Sequence, residues 1–323
     1  MALLLDPDDE AATNGATHGA NFSRPADAVA QPSQGACDRS FWTKKAPGVL
    51  RREGLDPEAA WNAFWSKRKA PATVARLVHA AGAPVIWGWN IEAVTEECRG
   101  LVDIADQLAR GAGPDKFAKG KRRASLEAAV GAWLETARDG DTDVSFALGT
   151  LAAAHLLHQL GKQLGPEQGW PLVDLLLATA RDAGSWQVDV DAPGASALAQ
   201  QLAAGELPLT LAYLFPEMAP LAALRRGARD QLATGLAELA DERGFVRAAH
   251  LDVWRPLLAC WIRTRAIAEQ NAKFAWDEAA EGKLGRVLRQ ALRWTEAGTG
   301  RPLLTNAQVP AWSADFLAAA VRV

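Results

Sequence analysis

The sequence predicts an all-α protein, arranged as an (α/α) toroid or incomplete toroid of stacked helical hairpins. Three observations predict this class. Almost no stretch alternates apolar and polar residues as a strand would, and apolar residues recur at helical spacing from about residue 56 onward. Helices that are apolar all round also occur beside helices with one charged side, as in stacked hairpins with an inner and an outer layer. The rival prediction is an irregular helical bundle.

Composition narrows the classes of function. The 323 residues are 49% hydrophobic, enough for a large buried core, and the formal net charge of -3 gives no overall attraction to nucleic acid or anionic membrane. Every apolar run is interrupted well before the roughly 20 residues that span a bilayer. The 3 cysteines are widely separated, which predicts neither a disulfide framework nor a clustered metal site. The sequence therefore predicts no membrane partner, no nucleic-acid partner, no metal and no cofactor.

The N-terminal region sets the domain boundary and the expected compartment. Residues 1–40 lack an apolar period and are rich in Ala, Asp, Asn, Gly, Pro and Ser, so they are predicted to be a disordered tail. Residues 41–323 are predicted to form the helical domain. The first residues show no basic segment followed by a long apolar run, so no secretory signal is predicted. The expected location is cytoplasmic for the sequence as it stands, and periplasmic or secreted if the N-terminus is incomplete.

Capping residues, prolines and glycines mark the helices in order. Asp56-Pro57 starts the first helix, a second runs from Pro71 to Gly82, and a third runs from Asn90 to about Arg110. Segment 111–123 is predicted to be a basic surface loop. The remaining helices are predicted at 125–138, 143–162, 170–183, 196–204, 208–215, 220–241, 251–269, 278–296 and 311–321.

Two of these helices represent the inner and the outer type. The helix at 143–162 carries apolar side chains all round, which predicts burial, whereas the helix at 278–296 separates an apolar side from a charged side. His155 and His158 share one face of the first of these helices, three residues apart. Because no third ligand accompanies them, we interpret them as hydrogen-bonded core histidines rather than a metal site. They would look into a central cleft if that helix belongs to the inner layer.

One acidic and one basic segment each have a structural and a functional interpretation. Asp139–Asp143 is similar to the start of a calcium loop, but Val144 and Thr150 stand where a glycine and a bidentate glutamate belong. A helix N-terminus is therefore the better interpretation. Segment 111–123 is most simply a solvated loop, and its functional interpretation is a rim that attracts a carboxylated or sulfated polymer. Its cations are Lys116, Lys119, Lys121, Arg122 and Arg123.

A pattern of helices and turns between Leu172 and Gln290 carries a family resemblance. The run Gln201–Glu217 ends a helix in Phe-Pro-Glu, a glycine turn follows at Asp241–Gly244, and a long buried helix extends from Trp254 to Glu269. This pattern resembles the helical domain of heparinase II/III-like polysaccharide lyases. In that family an (α/α) toroid is joined to a C-terminal β-sandwich. The sequence has no counterpart of the sandwich, so the resemblance implies a separate β-sandwich domain or chain as a partner.

The resemblance implies β-elimination on polysaccharides that contain uronic acids. This reaction needs a neutralised C5 carboxylate, a base for the C5 proton and an acid for the leaving oxygen. The Asn-His pair and the tyrosine that are common in the family are absent from the corresponding positions. The catalytic residues predicted here are His250 as proton shuttle, Arg255 as binder of the substrate carboxylate, and Glu206 and Tyr213 in support. The predicted substrate-binding residues are His155, His158, Gln200, Gln201 and Trp254.

Several alternatives stay open. The leading hypothesis is a polysaccharide lyase domain, active or degenerate, with an acidic polysaccharide as partner. The alternative is a non-catalytic helical module that binds a glycan or a protein, which the missing Asn-His pair and tyrosine favour. A terpenoid-type cyclase is disfavoured because its aspartate motif is broken. Each catalytic candidate also has a structural interpretation, such as a helix cap for His250 and core packing for Tyr213.

Overall fold

The computed structural model describes residues 38–52, 55–78, 94–109, 111–139, 143–185, 194–296 and 318. Within these ranges the regular structure is helical and contains no strand, so the all-α class is confirmed. Single antiparallel bridges join Trp42 to Met218 and Ala240 to Val246. None of the described helices is both long and apolar enough to cross a membrane. Residues 1–37 of the predicted tail, and the predicted last helix except residue 318, lie outside the described residues.

The helices follow one another with short connections. They are α1 (Pro57–Lys67), α2 (Val74–Leu77), α3 (Glu96–Ala109), α4 (Gly120–Asp139), α5 (Val144–Asp182), α6 (Gly194–Gln200), α7 (Leu207–Leu214), α8 (Ala219–Ala223), α9 (Arg225–Leu239), α10 (Trp254–Gln270) and α11 (Glu278–Arg293). A π-helical segment, Gln201–Glu206, joins α6 to α7, and a short 3₁₀ helix, Ala248–Val253, precedes α10.

Aspartate side chains fix three helix starts. Asp56 accepts a hydrogen bond from the amide of Ala59 at 2.7 Å, which confirms the predicted start of α1. Asp143 accepts one from the amide of Phe146 at 2.7 Å, and Asp277 starts α11 in the same way. Each carboxylate satisfies an amide that has no partner within its own helix. The interpretation of Asp143 as part of a helix N-terminus is therefore confirmed.

Two predicted boundaries are wrong, each for a local reason. The predicted break between the helices at 143–162 and 170–183 is present inside α5, because the backbone at Gly165 is not helical, with φ at 74° and ψ at 174°, immediately before Pro166. The helices predicted at 196–204 and 208–215 are continuous, because the π-helical segment carries the chain past Pro208, which lacks an amide hydrogen. The predicted loop at 111–123 ends early, since α4 begins at Gly120.

Helix α5 occupies the middle of the packing arrangement. Helices α1, α3 and α4 contact it, as do α6, the π-helical segment and α7. Helices α9 and α10 pack against the π-helical segment and α7, and α11 packs against α9. The part of α5 before Gly165 is almost entirely buried, as its apolar circumference predicts.

Two glycines of α5 admit tryptophan rings from α1. A Cβ atom at Gly161 would lie 2.0 Å from the Trp65 ring, and one at Gly169 would lie 2.0 Å from the Trp61 ring. The indole nitrogen of Trp61 also donates a hydrogen bond to the carbonyl of Gly161 at 3.1 Å. These tryptophans therefore join α1 to α5 at distances that no side chain at the two glycine positions would allow.

Candidate functional site

A buried arginine–glutamate pair lies between the π-helical segment and α10. Arg263 donates from Nε to Glu206 Oε1 at 2.5 Å and from Nη2 to Oε2 at 2.7 Å, with both side chains no more than 2% exposed. Burial alone would lower the pKa of Arg263, but the facing Glu206 carboxylate and its hydrogen bonds raise it above the ordinary value. Glu206, predicted to support catalysis, is thus held by both carboxylate oxygens in an internal ion pair.

The same two elements are joined by Gln201 one turn earlier. The indole nitrogen of Trp261 donates to Gln201 Oε1 at 3.1 Å, and the side-chain amide of Gln201 donates to the carbonyl of Gln231 on α9 at 3.4 Å. Burial, followed by the nearby Glu206 carboxylate, raises the pKa of the Cys260 thiol well above its ordinary value. Gln201 therefore bridges helices inside the protein, and Cys260 is a protonated core thiol without nucleophilic character.

Helix α5 carries two buried neutral histidines, His155, on which the charge of Arg263 acts, and His158, which contacts Arg68. Burial, and then the Arg263 guanidinium, lowers the pKa of His155 to about 3. Burial, and then the charge of Arg68, lowers the pKa of His158 to about 3 as well. The interpretation of both as buried core histidines agrees with their exposures of 2% and 5%. Neither is a base at neutral pH, because its protonated form is excluded by its surroundings.

The hydrogen bonds of His158 define which ring nitrogen carries the proton. A guanidinium can only donate, so Nδ1 of His158 accepts from Arg68 Nη1 at 3.3 Å. The proton is therefore on Nε2, which donates to the carbonyl of Pro71 at 3.1 Å. His158 thus connects α5 to the segment between α1 and α2, and both of its ring nitrogens are used for that purpose.

Arg68 forms a second buried pair, with Glu217. Its Nε lies 3.5 Å from Glu217 Oε1, its Nη2 donates to the carbonyl of Leu214, and its guanidinium lies 4.6 Å from the centre of the Phe215 ring. The Arg68 side chain is only 2% exposed. Burial lowers the pKa of Arg68, and the Glu217 carboxylate opposes that shift. Cation–π contact and carbonyl hydrogen bonds replace the water that the guanidinium loses.

The Phe-Pro-Glu motif is held from both sides by this pair and by the N-terminal segment. Phe215 and Glu217 contact Arg68, while the Thr43 hydroxyl donates to the carbonyl of Pro216 at 2.9 Å and the Thr43 amide donates to the carbonyl of Glu217 at 2.8 Å. All three motif residues therefore have a structural role. The motif that carries the family resemblance closes the end of α7 against the segment before α1.

The other predicted residues lie at the two ends of α10. His250, which is 0% exposed, and Trp254, which is 1% exposed, lie at its N-terminal end together with Arg255. Burial lowers the pKa of Arg255, although that residue is only partly buried. The Cα atom of His250 would be 3.2 Å from a Cβ atom at Gly194, so this end of α10 packs against the start of α6.

Tyr213 lies at the opposite end of α10. Its ring packs edge to face against the ring of Phe274, with the ring centres 6.1 Å apart. Phe274 lies four residues after Gln270, the last residue of α10. Burial raises the pKa of Tyr213, which is partly exposed. Fifteen residues of α-helix separate Arg255 from Gln270, a distance of about 22 Å at 1.5 Å per residue. Arg255 and Tyr213 are therefore too far apart to act on one sugar unit.

The structure brings some predicted residues together and separates others. Glu206 and Gln201 bond to Arg263 and Trp261 of α10, and His155 and His158 are buried on α5, where the charge of Arg263 acts on His155. Gln200 is partly buried at the start of the π-helical segment, and His250, Trp254, Arg255 and Tyr213 lie at the two ends of α10. Sequence reasoning missed the partners Arg68, Glu217, Trp261 and Arg263. Arg263 could have been recognised from the sequence, because this cation directly follows the apolar run from Leu257 to Ile262 and interrupts a buried helix.

The described residues thus define an all-α protein whose interior carries two arginine–glutamate pairs and two neutral histidines. Among them, no group of three or more His, Cys, Asp or Glu side chains is placed to hold a metal ion. Comparison of the chain with protein-family models, with curated proteins and with solved structures found no match.

Proposed function

We propose that the chain is a non-catalytic helical module that binds acidic polysaccharides and is related to heparinase II/III-like lyases. In this proposal the helical hairpins form the toroid, complete or incomplete, that the sequence predicts. The proposal rests on one observation: side chains predicted for catalysis or substrate binding are buried and make contacts inside the protein. Glu206 is paired with Arg263, and His155, His158 and His250 are buried.

A β-elimination needs these groups at the surface of a cleft. The base and the acid must come within hydrogen-bonding distance of the C5 proton and the leaving oxygen of one sugar unit. A carboxylate that accepts both hydrogen bonds of a buried guanidinium cannot approach a polymer without breaking that pair. Histidines with a pKa of about 3 accept a proton only in strong acid. These groups stabilise the fold more readily than they transfer protons.

The segment that resembles the lyases has a structural role in this protein. Its most specific part, the run from Gln201 to Glu217, contains the π-helical segment, the residue that pairs with Arg263, and the motif that Arg68 and Thr43 hold. A scaffold of this kind can persist after catalytic groups have been replaced, because its residues act on one another rather than on a substrate. Binding of the polymer is the part of the lyase function that survives such replacement.

A lyase that retains activity is the second candidate. It is favoured by the partial exposure of Tyr213, the phenol among the predicted catalytic residues. The raised pKa of Tyr213 suits a proton donor to the leaving oxygen. In this candidate the β-sandwich of the family would be a separate domain or chain.

Incubation of the protein with heparin, heparan sulfate and alginate tests the proposal. Calorimetry is expected to detect binding to at least one of these polymers, weakening steeply as salt is raised from about 0.05 to about 0.2 M, because screening reduces attraction between charges at the surface. The ultraviolet absorbance of the unsaturated product is expected to stay at the level of the blank. A rise in that absorbance that is abolished in Tyr213→Phe would favour the lyase instead. No binding to any of the polymers would overturn both the proposal and the resemblance.

A further inference from the structure

A group of exposed cations lies where α4 begins. Lys116 and Lys119 lie in and just after the 3₁₀ helix Pro114–Phe117, and the first turn of α4 carries three more cations. Lys162 of α5 is exposed as well, and the adjacent Gln163 contacts this part of the chain through a hydrogen bond from its side chain to the carbonyl of Pro114 at 3.4 Å. We call this set the basic surface; it comprises Lys116, Lys119, Lys121, Arg122, Arg123 and Lys162.

Most of this positive charge is not compensated by neighbouring carboxylates. Arg123 forms an exposed ion pair with Glu127, at 2.8 Å. The other five cations form no salt bridge with a described residue. The cations lie in the stretches 111–127 and 160–167, whose other acidic residues besides Glu127 are Asp115 and Glu167. Positive charge therefore predominates there, although the whole protein has a net charge of -3. The basic surface is therefore a local excess of charge with the opposite sign to that of the protein.

The cations of α4 lie at the end of the helix where positive charge is unfavourable. A helix N-terminus is the positive end of the helix dipole and favours carboxylates, as α1 and α11 show with Glu58, Glu278 and Glu281 in their first turns. The first turn of α4 holds Lys121, Arg122 and Arg123 and no acidic residue. Helix α9 also begins with two cations, Arg225 and Arg226, and has no acidic residue in its first turn, so the basic surface is distinguished by its number of cations rather than by the helix start alone. An anionic ligand would neutralise the cations and accept hydrogen bonds from the free amides of the first turn.

We propose that the basic surface binds a linear acidic polysaccharide through its sulfate or carboxylate groups. This inference rests on the proposed function and names the part of the molecule that performs it. The site lies outside the stretch from Leu172 to Gln290, so it is separate from the residues predicted for catalysis. A polysaccharide fits better than a single-stranded nucleic acid, because Phe117, the aromatic residue of segment 111–125, is 2% exposed and offers no surface for base stacking.

The inference is tested with a fluorescent heparin oligosaccharide and matched charge variants. Lys121→Gln/Arg122→Gln removes two cations from the basic surface. Arg289→Gln/Arg293→Gln removes two exposed cations from α11, which packs against α9. Fluorescence anisotropy is expected to show that the first variant binds about 10- to 30-fold more weakly than the unmodified protein. The α11 variant is expected to bind within about twofold of the unmodified protein, because it carries the same net charge as the first variant but keeps the basic surface.

The outcomes separate this inference from the proposed function. If the unmodified protein binds heparin and both variants lose affinity equally, the basic surface is not the site, while the proposed function stands. If the unmodified protein binds none of heparin, heparan sulfate and alginate, both are overturned. A single-stranded oligonucleotide of matched charge serves as competitor. If it displaces heparin at equal concentration and shows the same dependence on Lys121 and Arg122, the assignment to a polysaccharide is overturned.

Discussion

Replacement of Arg263 by methionine is expected to lower the free energy of unfolding by about 3–5 kcal/mol. The guanidinium donates two hydrogen bonds to Glu206 in a region where both side chains are at most 2% exposed. Methionine fills similar volume but leaves the Glu206 carboxylate buried without a counter-charge. Urea denaturation near neutral pH measures the loss. Glu206→Met is expected to be similarly unstable, because it leaves the charge of Arg263 unpaired.

The double variant Glu206→Met/Arg263→Met completes the comparison. It is expected to be more stable than either single variant, because two apolar side chains of similar size replace both charges at once. An exposed pair serves as control. Arg123→Gln, which removes the ion pair with Glu127 on α4, is expected to change stability by less than about 1 kcal/mol, since both side chains are at least 41% exposed. A double variant as unstable as the sum of the single variants would contradict the buried pair.

Acidification from about pH 7.5 to about pH 5 is expected to destabilise the protein by about 2 kcal/mol for each of His155 and His158. The pKa of each is about 3 in the folded protein, against an ordinary value of 6.5. Between these two values the unfolded chain binds more protons than the folded protein. The contribution of each histidine to stability is therefore complete above about pH 6.5 and declines as the pH falls below it. Urea midpoints measured across this range give the slope.

Glutamine variants assign the pH dependence to the two histidines. Glutamine keeps a polar side chain that does not titrate, so His155→Gln and His158→Gln are each expected to remove about half of the extra loss at pH 5. The difference between the two pH values within each variant is the quantity compared, so a general loss of stability does not obscure it. An unchanged slope in both variants would show that the histidines are protonated in the folded protein, which their burial among Arg68 and Arg263 forbids.

Local signals in the sequence predicted the helices well. Asp56-Pro57 and Asp277 start helices because a carboxylate next to the first turn satisfies a free amide, and this interaction involves only neighbouring residues. The burial of the first part of α5 followed from its apolar circumference. The predicted break between the helices at 143–162 and 170–183 is found at Gly165, where the backbone is not helical. The break predicted before Pro208 is wrong, because a π-helical segment joins α6 to α7 there.

The partners of the buried polar residues could not be read from the sequence. Arg263 and Glu206 are 57 positions apart, and Arg68 and His158 are 90 positions apart. No periodicity connects residues at such separations, because their contact depends on how α10 packs against the π-helical segment and how α5 packs against the chain after α1. The same limit applies to the predicted catalytic residues. Tyr213 and Arg255 are both predicted to act in catalysis, but the length of α10 places them at opposite ends of that helix.

We propose that the surface where α4 begins binds the polymer, while Glu206 and His250, which are predicted for catalysis, are buried and support the fold. Hydrogen–deuterium exchange with and without a heparin oligosaccharide tests this claim most directly. The account predicts that heparin slows exchange in peptides covering residues 111–125 and 160–164 and leaves residues 206–214 and 248–263 unchanged. Slower exchange confined to residues 206–214 and 248–263 would place the polymer at the predicted catalytic residues and contradict the account.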